Sequence, residues 1–107
     1  MAEEEQTAGP THPARVREYL ALVQTFVDGG LPAAAFESTF RTRYLSDETG
    51  WTTAEFDVLD RLFADVDDFV PDDLLRAEAG GLDEAGLRRR AAAALPRLVE
   101  LSEAERG

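Results

Sequence analysis

The sequence predicts an all-α fold: a four-helix antiparallel bundle with short connections. Three observations carry this expectation. Apolar residues recur at three- and four-residue spacing in four segments, Gly and Pro punctuate the intervals, and nowhere do β-branched residues alternate as a half-buried strand requires. The 107 residues, 44% hydrophobic and 31% charged, suit one compact domain with a modest core and little room for a deep cavity. Residues 1–12 are polar, acidic and broken by Gly9 and Pro10, so a disordered tail is expected there, followed by a single helical domain over residues 13–106.

The first helix is predicted over residues 13–28, where Val16, Tyr19, Leu20, Val23, Phe26 and Val27 share a face and Gly29-Gly30 supplies the stop. The second opens near Pro32, whose missing N–H suits a first turn, and ends around Ser46, with Phe36, Phe40 and Tyr44 in one stripe. That aromatic stripe reads as bundle core rather than a ligand box. The third has a capping box in Thr52 and Glu55 and is expected to run to about Val70 before Pro71 stops it. Trp51, just ahead of the cap, is expected to staple against Phe56. Residues 71–81 read as a connector. The fourth helix opens at Asp83 and reaches about Glu105, with Pro96 expected to kink it.

On the third helix Phe56, Val58, Leu59, Leu62, Phe63, Val66, Phe69 and Val70 fall in one half-cylinder, and Asp57, Asp60, Asp65, Asp67 and Asp68 in the other. Charge is concentrated here. Residues 47–78 hold eleven acids against two arginines, so nine of the eleven net negative charges lie in this stretch. Self-repulsion makes such crowding unfavourable. A helix selected only for solubility would intersperse bases at i+4, and Asp67 and Asp68 oppose the dipole at the helix C-terminus. A strongly basic partner surface accounts for both penalties.

Several classes of function are excluded or disfavoured. The net charge of −11 argues against binding nucleic acid or an anionic membrane. There is no cysteine, hence no thiolate chemistry, and no apolar run approaches the roughly 20 residues that span a bilayer. The acidic start does not resemble a secretory signal, and a cytoplasmic protein is expected. The lone histidine, His12, sits between prolines in the tail and reads as a solvated bystander. Counted from Asp65, a calcium loop would need Gly at Val70 and Glu at Arg76, so the EF-hand pattern is absent. Arg88, Arg89 and Arg90 spread around a helix rather than forming a patch; pairing with the acidic stretch or solvation suffices for them. No enzyme activity, cofactor or metal is expected.

The run Leu59-Asp60-x-Leu62-Phe63-x-Asp65-x-Asp67-x-Phe69-x-x-Asp72-x-x-Leu75-Arg76, followed by Leu82-Asp83-Glu84-x-x-Leu87-Arg88, resembles the colicin D immunity family of bacterial self-protective, colicin-like immunity proteins. The likeness extends over about residues 14–101. The acidic extension, the Gly80-Gly81 connector and the absence of lysine depart from it. It implies a small helical bundle that binds the nuclease domain of a cognate toxin and blocks it, the founding toxin cutting tRNA in the anticodon loop. Charge map and resemblance together give an expected contact set of Asp57, Asp60, Asp65, Asp67, Asp68, Asp72 and Asp73, occupying phosphate positions in a basic cleft, although Asp57 and Asp60 could instead serve a different surface. The family pattern supports Asp60, Asp65, Asp67 and Asp72 most directly, although Asp65, Asp67 or Asp72 could instead order the connector. A monomer is expected. The competing readings are an acidic adaptor for another basic protein and a small metal protein or enzyme using the aspartate cluster.

Overall fold

The structure is a computed structural model and describes residues 12–106, with side chains over residues 16–104. The order is α1 (His12–Val27), α2 (Ala33–Ser46), α3 (Thr53–Asp67), α4 (Asp73–Ala79) and α5 (Glu84–Arg106). The all-helical expectation holds among the described residues, apart from one isolated parallel bridge between Phe69 and Leu82. The helix count differs: there are five among the described residues. α1, α2, α3 and α5 pack on one another, whereas α4 buries no residue. Three boundaries also move. The expected connector carries α4, α3 stops at Asp67 rather than near Val70, and His12 opens α1 instead of ending the tail. Residues 1–11 lie outside the described ones.

The core forms where the apolar faces of the four packed helices meet. Tyr19, Val23 and Phe26 of α1, Phe36 and Phe40 of α2, Leu59, Leu62 and Val66 of α3, and Leu87, Ala91 and Leu98 of α5 are all buried. The aromatic stripe of α2 is core, as expected. Phe36 stacks on Phe26 with centroids 4.3 Å apart, and Phe40 meets Tyr19 edge-on at 5.5 Å. The series continues through Tyr44 to Phe63 at 5.2 Å, joining α2 to α3. Such pairs add attraction beyond the area they bury.

Helix ends are satisfied by named groups. Gly29, at φ +88°, lets the chain turn out of α1, and Gly30 N–H donates to Thr25 O at 2.9 Å. Pro32 precedes α2 without a side-chain cap, and a partner arrives from α5: the Glu84 carboxylate accepts from Ala33 N–H at 3.2 Å. Arg88, one turn on, donates to Phe26 O at 3.1 Å and lies over the Phe26 ring at 4.6 Å. The α1–α2 turn is thereby tied to α5. At α3 the predicted capping box is present in both directions, Glu55 N–H to Thr52 Oγ1 at 3.1 Å and Thr52 N–H to Glu55 Oε1 at 2.8 Å. The staple is not formed as expected. Trp51 packs edge-on against Tyr19 at 5.9 Å, while Phe56 is 47% exposed. α5 opens behind Asp83, which accepts from Gly86 N–H at 2.7 Å, and it continues through Pro96.

Candidate partner-binding surface

At about 100° per residue, the polar half of α3 resolves into a ridge and two flanks. Asp57, Asp60 and Asp68 lie on or near the ridge and are exposed, with Arg61 among them. Asp65 and Asp67 lie on opposite flanks, so two aspartates only two positions apart in sequence are split in space. Asp67 turns toward α2 and pairs with Arg41 at 3.2 Å while staying exposed. Asp65 turns toward α5 and is buried at 7% exposure, 3.4 Å from Arg90.

Burial pushes the Asp65 carboxyl above its ordinary pKa, outweighing the opposing pull of Arg90 and Arg61; the nearby Asp68 charge raises it further. The apolar–acidic separation expected for α3 is therefore incomplete. Asp65 is a supporting residue between α3 and α5. The reason is its position at the edge of the buried stripe, one residue before Val66.

The other acids divide similarly. Asp72 caps α4, its carboxylate accepting from Leu74 N–H at 2.9 Å and Leu75 N–H at 3.1 Å. Asp73 is exposed and pairs with Arg76 at 2.6 Å. Asp60 accepts from the Tyr44 hydroxyl at 3.4 Å, and that phenol is pushed up to about 12 by burial first and then by the Asp60 charge. Asp47 is a turn residue, accepting from Thr49 N–H at 2.9 Å and from the Tyr19 hydroxyl at 2.9 Å. Asp57 and Asp68 have no ion pair or side-chain hydrogen bond among the described residues. Of the seven predicted contact residues, six are exposed and one is buried.

The α5 side of this surface is mixed in charge. A groove of about 510 Å³ between α3 and α5 is lined by Asp57 and Asp65 but also by Arg61, Arg90 and Arg97. Aspartates facing α5 are thus interleaved with arginine, as Asp67 is paired with Arg41 on the α2 side. Among the described residues no group of three or more His, Cys, Asp or Glu could hold a metal ion, and no helix is long and apolar enough to cross a membrane.

Two features escaped the sequence reading. α4 presents Leu74 and Leu75 at 78% and 56% exposure. Its start and stop signals were available: Asp72 as cap, Asp73 in the first turn, Arg76 in the last and Gly80 beyond. Glu84 and Arg88 act as ties from α5 to the α1–α2 turn, and no local spacing announces contacts more than 50 residues apart in sequence.

Residues 15–98 match the family model described as bacterial self-protective colicin-like immunity. No match is found among curated proteins or among solved structures. The matched span covers most of the chain, and the chain belongs to this family. Membership implies a protective protein that binds a toxin.

Proposed function

We propose that this member of the colicin-like immunity family neutralises a toxin nuclease, of the tRNA-cleaving kind, by presenting carboxylates where the enzyme holds phosphates. The observation that carries this reading is the open acidic field of α3 and α4. Asp57, Asp60, Asp67, Asp68 and Asp73 are exposed on consecutive elements, and the Asp57 and Asp68 carboxylates make no ion pair or hydrogen bond among the described residues. A nuclease cleft must be basic to hold an RNA backbone, so fixed anions on a packed helix can occupy its phosphate positions. Opposed fields also steer encounter, raising association to about 10⁸ per molar per second or more at low salt. Asp65 supports the surface from beneath, and Asp72 holds α4 in place while its own carboxylate stays exposed.

The test uses the cognate toxin domain, sought first in the gene adjacent to the one encoding this chain, with affinity measured across a salt series. Reversing Asp57, Asp60 and Asp68 to Lys is expected to weaken binding by about 100-fold or more at low salt and to flatten the salt dependence. Helical content should be retained, because these side chains are exposed. Wild-type binding that is indifferent to salt, or a triple variant that still protects cells, would falsify charge mimicry.

A further inference from the structure

α4 presents a problem that the acidic field does not solve. It is seven residues long, below the roughly 12–15 at which an isolated helix becomes even marginally stable, and it buries nothing of its own. Yet it is held firmly in place. Asp72 caps its first turn. Arg76, its one half-buried side chain, donates to Val70 O at 2.8 Å and to Asp73 at 2.6 Å. The two chain segments flanking the helix are clipped together, Val70 N–H to Leu82 O at 2.9 Å and Leu82 N–H to Asp68 O at 2.7 Å. Gly81 makes that clip possible. It sits at φ +113°, and a Cβ there would lie 2.7 Å from Val70 Cγ2 and 2.8 Å from Asp68 O. This frame presents Leu74, the most exposed large apolar side chain among the described residues, beside the exposed Leu75.

We propose that Leu74 and Leu75 are the anchor of the toxin interface, entering an apolar hollow on the toxin domain whose rim is cationic. The inference rests on the toxin-binding reading above and adds the residues that supply affinity at its centre. Charge selects this occupant over two others. Asp72 and Asp73 immediately precede the leucine pair and Glu78 follows it one turn later on the same helix, and all three are exposed. A second copy of the chain would bring a net charge of −11 and the same acids. The chain's own N-terminal segment carries Glu3, Glu4 and Glu5, which those acids would also repel. A basic surface with an apolar hollow meets both components at once. Apolar anchors within a polar rim are the usual source of interface affinity, the rim charges supplying rate and register.

The experiment measures affinity of the same toxin domain for Leu74→Ser, Leu75→Ser and the double variant, across the salt series. Each single change is expected to weaken binding about tenfold and the pair about 100-fold, as withdrawal of a buried leucine requires. The slope of affinity against salt should be unchanged, because no charge is removed. Leu45→Ser, at another exposed leucine (66%), is expected to bind like wild type. Leu74→Ala with Leu75→Ala keeps helix propensity and should show the same loss, which separates anchoring from any fraying of α4. Double variants that bind within twofold of wild type overturn the anchor and leave the acidic reading standing, provided the salt slope persists. If sedimentation shows a wild-type dimer that the leucine changes dissolve, the occupant is a second copy and the proposal fails. A wild-type chain that does not bind the toxin domain removes both readings.

Discussion

The two ends of the charged sequence use carboxylates in opposite ways. At the α1–α2 turn, the Glu84 carboxylate accepts from the start of α2, and its neighbour Arg88 holds the end of α1; the two are themselves paired at 3.2 Å. Charge there is spent on closing the fold. Along α3 and α4 the same chemical group is mostly left open, and the carboxylates of the ridge acids Asp57 and Asp68 have no ion pair or hydrogen bond among the described residues. Between these extremes stand Asp65, which is buried, and Asp72, which caps. A carboxylate's role is thus set by where it falls relative to the buried stripe and to helix ends, and the local density of acids does not reveal it.

If the division is real, the two regions should respond to mutation through different observables. The largest effect belongs at the α1–α2 end. Phe36 is fully buried and stacked on Phe26, so Phe36→Ala is expected to destabilise the fold by about 3–5 kcal/mol, read by chemical denaturation. The Lys reversals at Asp57, Asp60 and Asp68 should leave the unfolding midpoint nearly unchanged or raise it, since they relieve self-repulsion. A charge reversal that unfolds the protein would erase the distinction. Phe63, on the acidic helix, is only half-buried, against Tyr44 and Arg41, so truncating it should have a smaller effect than truncating Phe36.

The next effect sharpens the comparison among charged residues alone. Arg88→Ala removes a charged hydrogen bond to Phe26 O and a cation over its ring, an expected loss of about 1.5–3 kcal/mol. Arg89, its exposed neighbour in sequence, should tolerate the same change within about 0.5 kcal/mol. Equal sensitivity of the two would mean that the tie to the α1–α2 turn carries no stability.

Much of this arrangement was legible in the residues. The capping box at Thr52 and Glu55, the stop at Gly29-Gly30 and the aromatic stripe of α2 are local patterns whose physics is complete within one turn or one helix face, and each appears as read. The misreadings share a cause. Phe69 and Val70 continue the apolar periodicity of α3, but their backbone is drawn into the clip with Leu82, so the helix stops early. Trp51 is claimed by Tyr19, from a helix more than 20 residues earlier, rather than by Phe56 nearby. α4 lacks a buried face and so lacks the periodic signal on which helix recognition depends. The candidate site was legible as a stretch, but the assignment of each aspartate depended on neighbours from α2 and α5.

Asp65 gives the smallest effect and the most discriminating one. Its carboxyl is buried, and burial outweighs the pull of Arg90 and Arg61, so its folded-state pKa lies above the unfolded value. The folded state then binds the proton more tightly, and the stabilising contribution is full below the unfolded pKa, near 4, and is lost as pH rises through the folded one. Replacing Asp65 by Asn removes this dependence while keeping nearly the same shape. Relative to wild type, Asp65→Asn should be more stable at pH 7 than at pH 4, read as the difference in unfolding midpoint at the two pH values. The opposite sign at Asp65 would mean that the Arg90 pair outweighs burial, so that the residue contributes stability as a charged group.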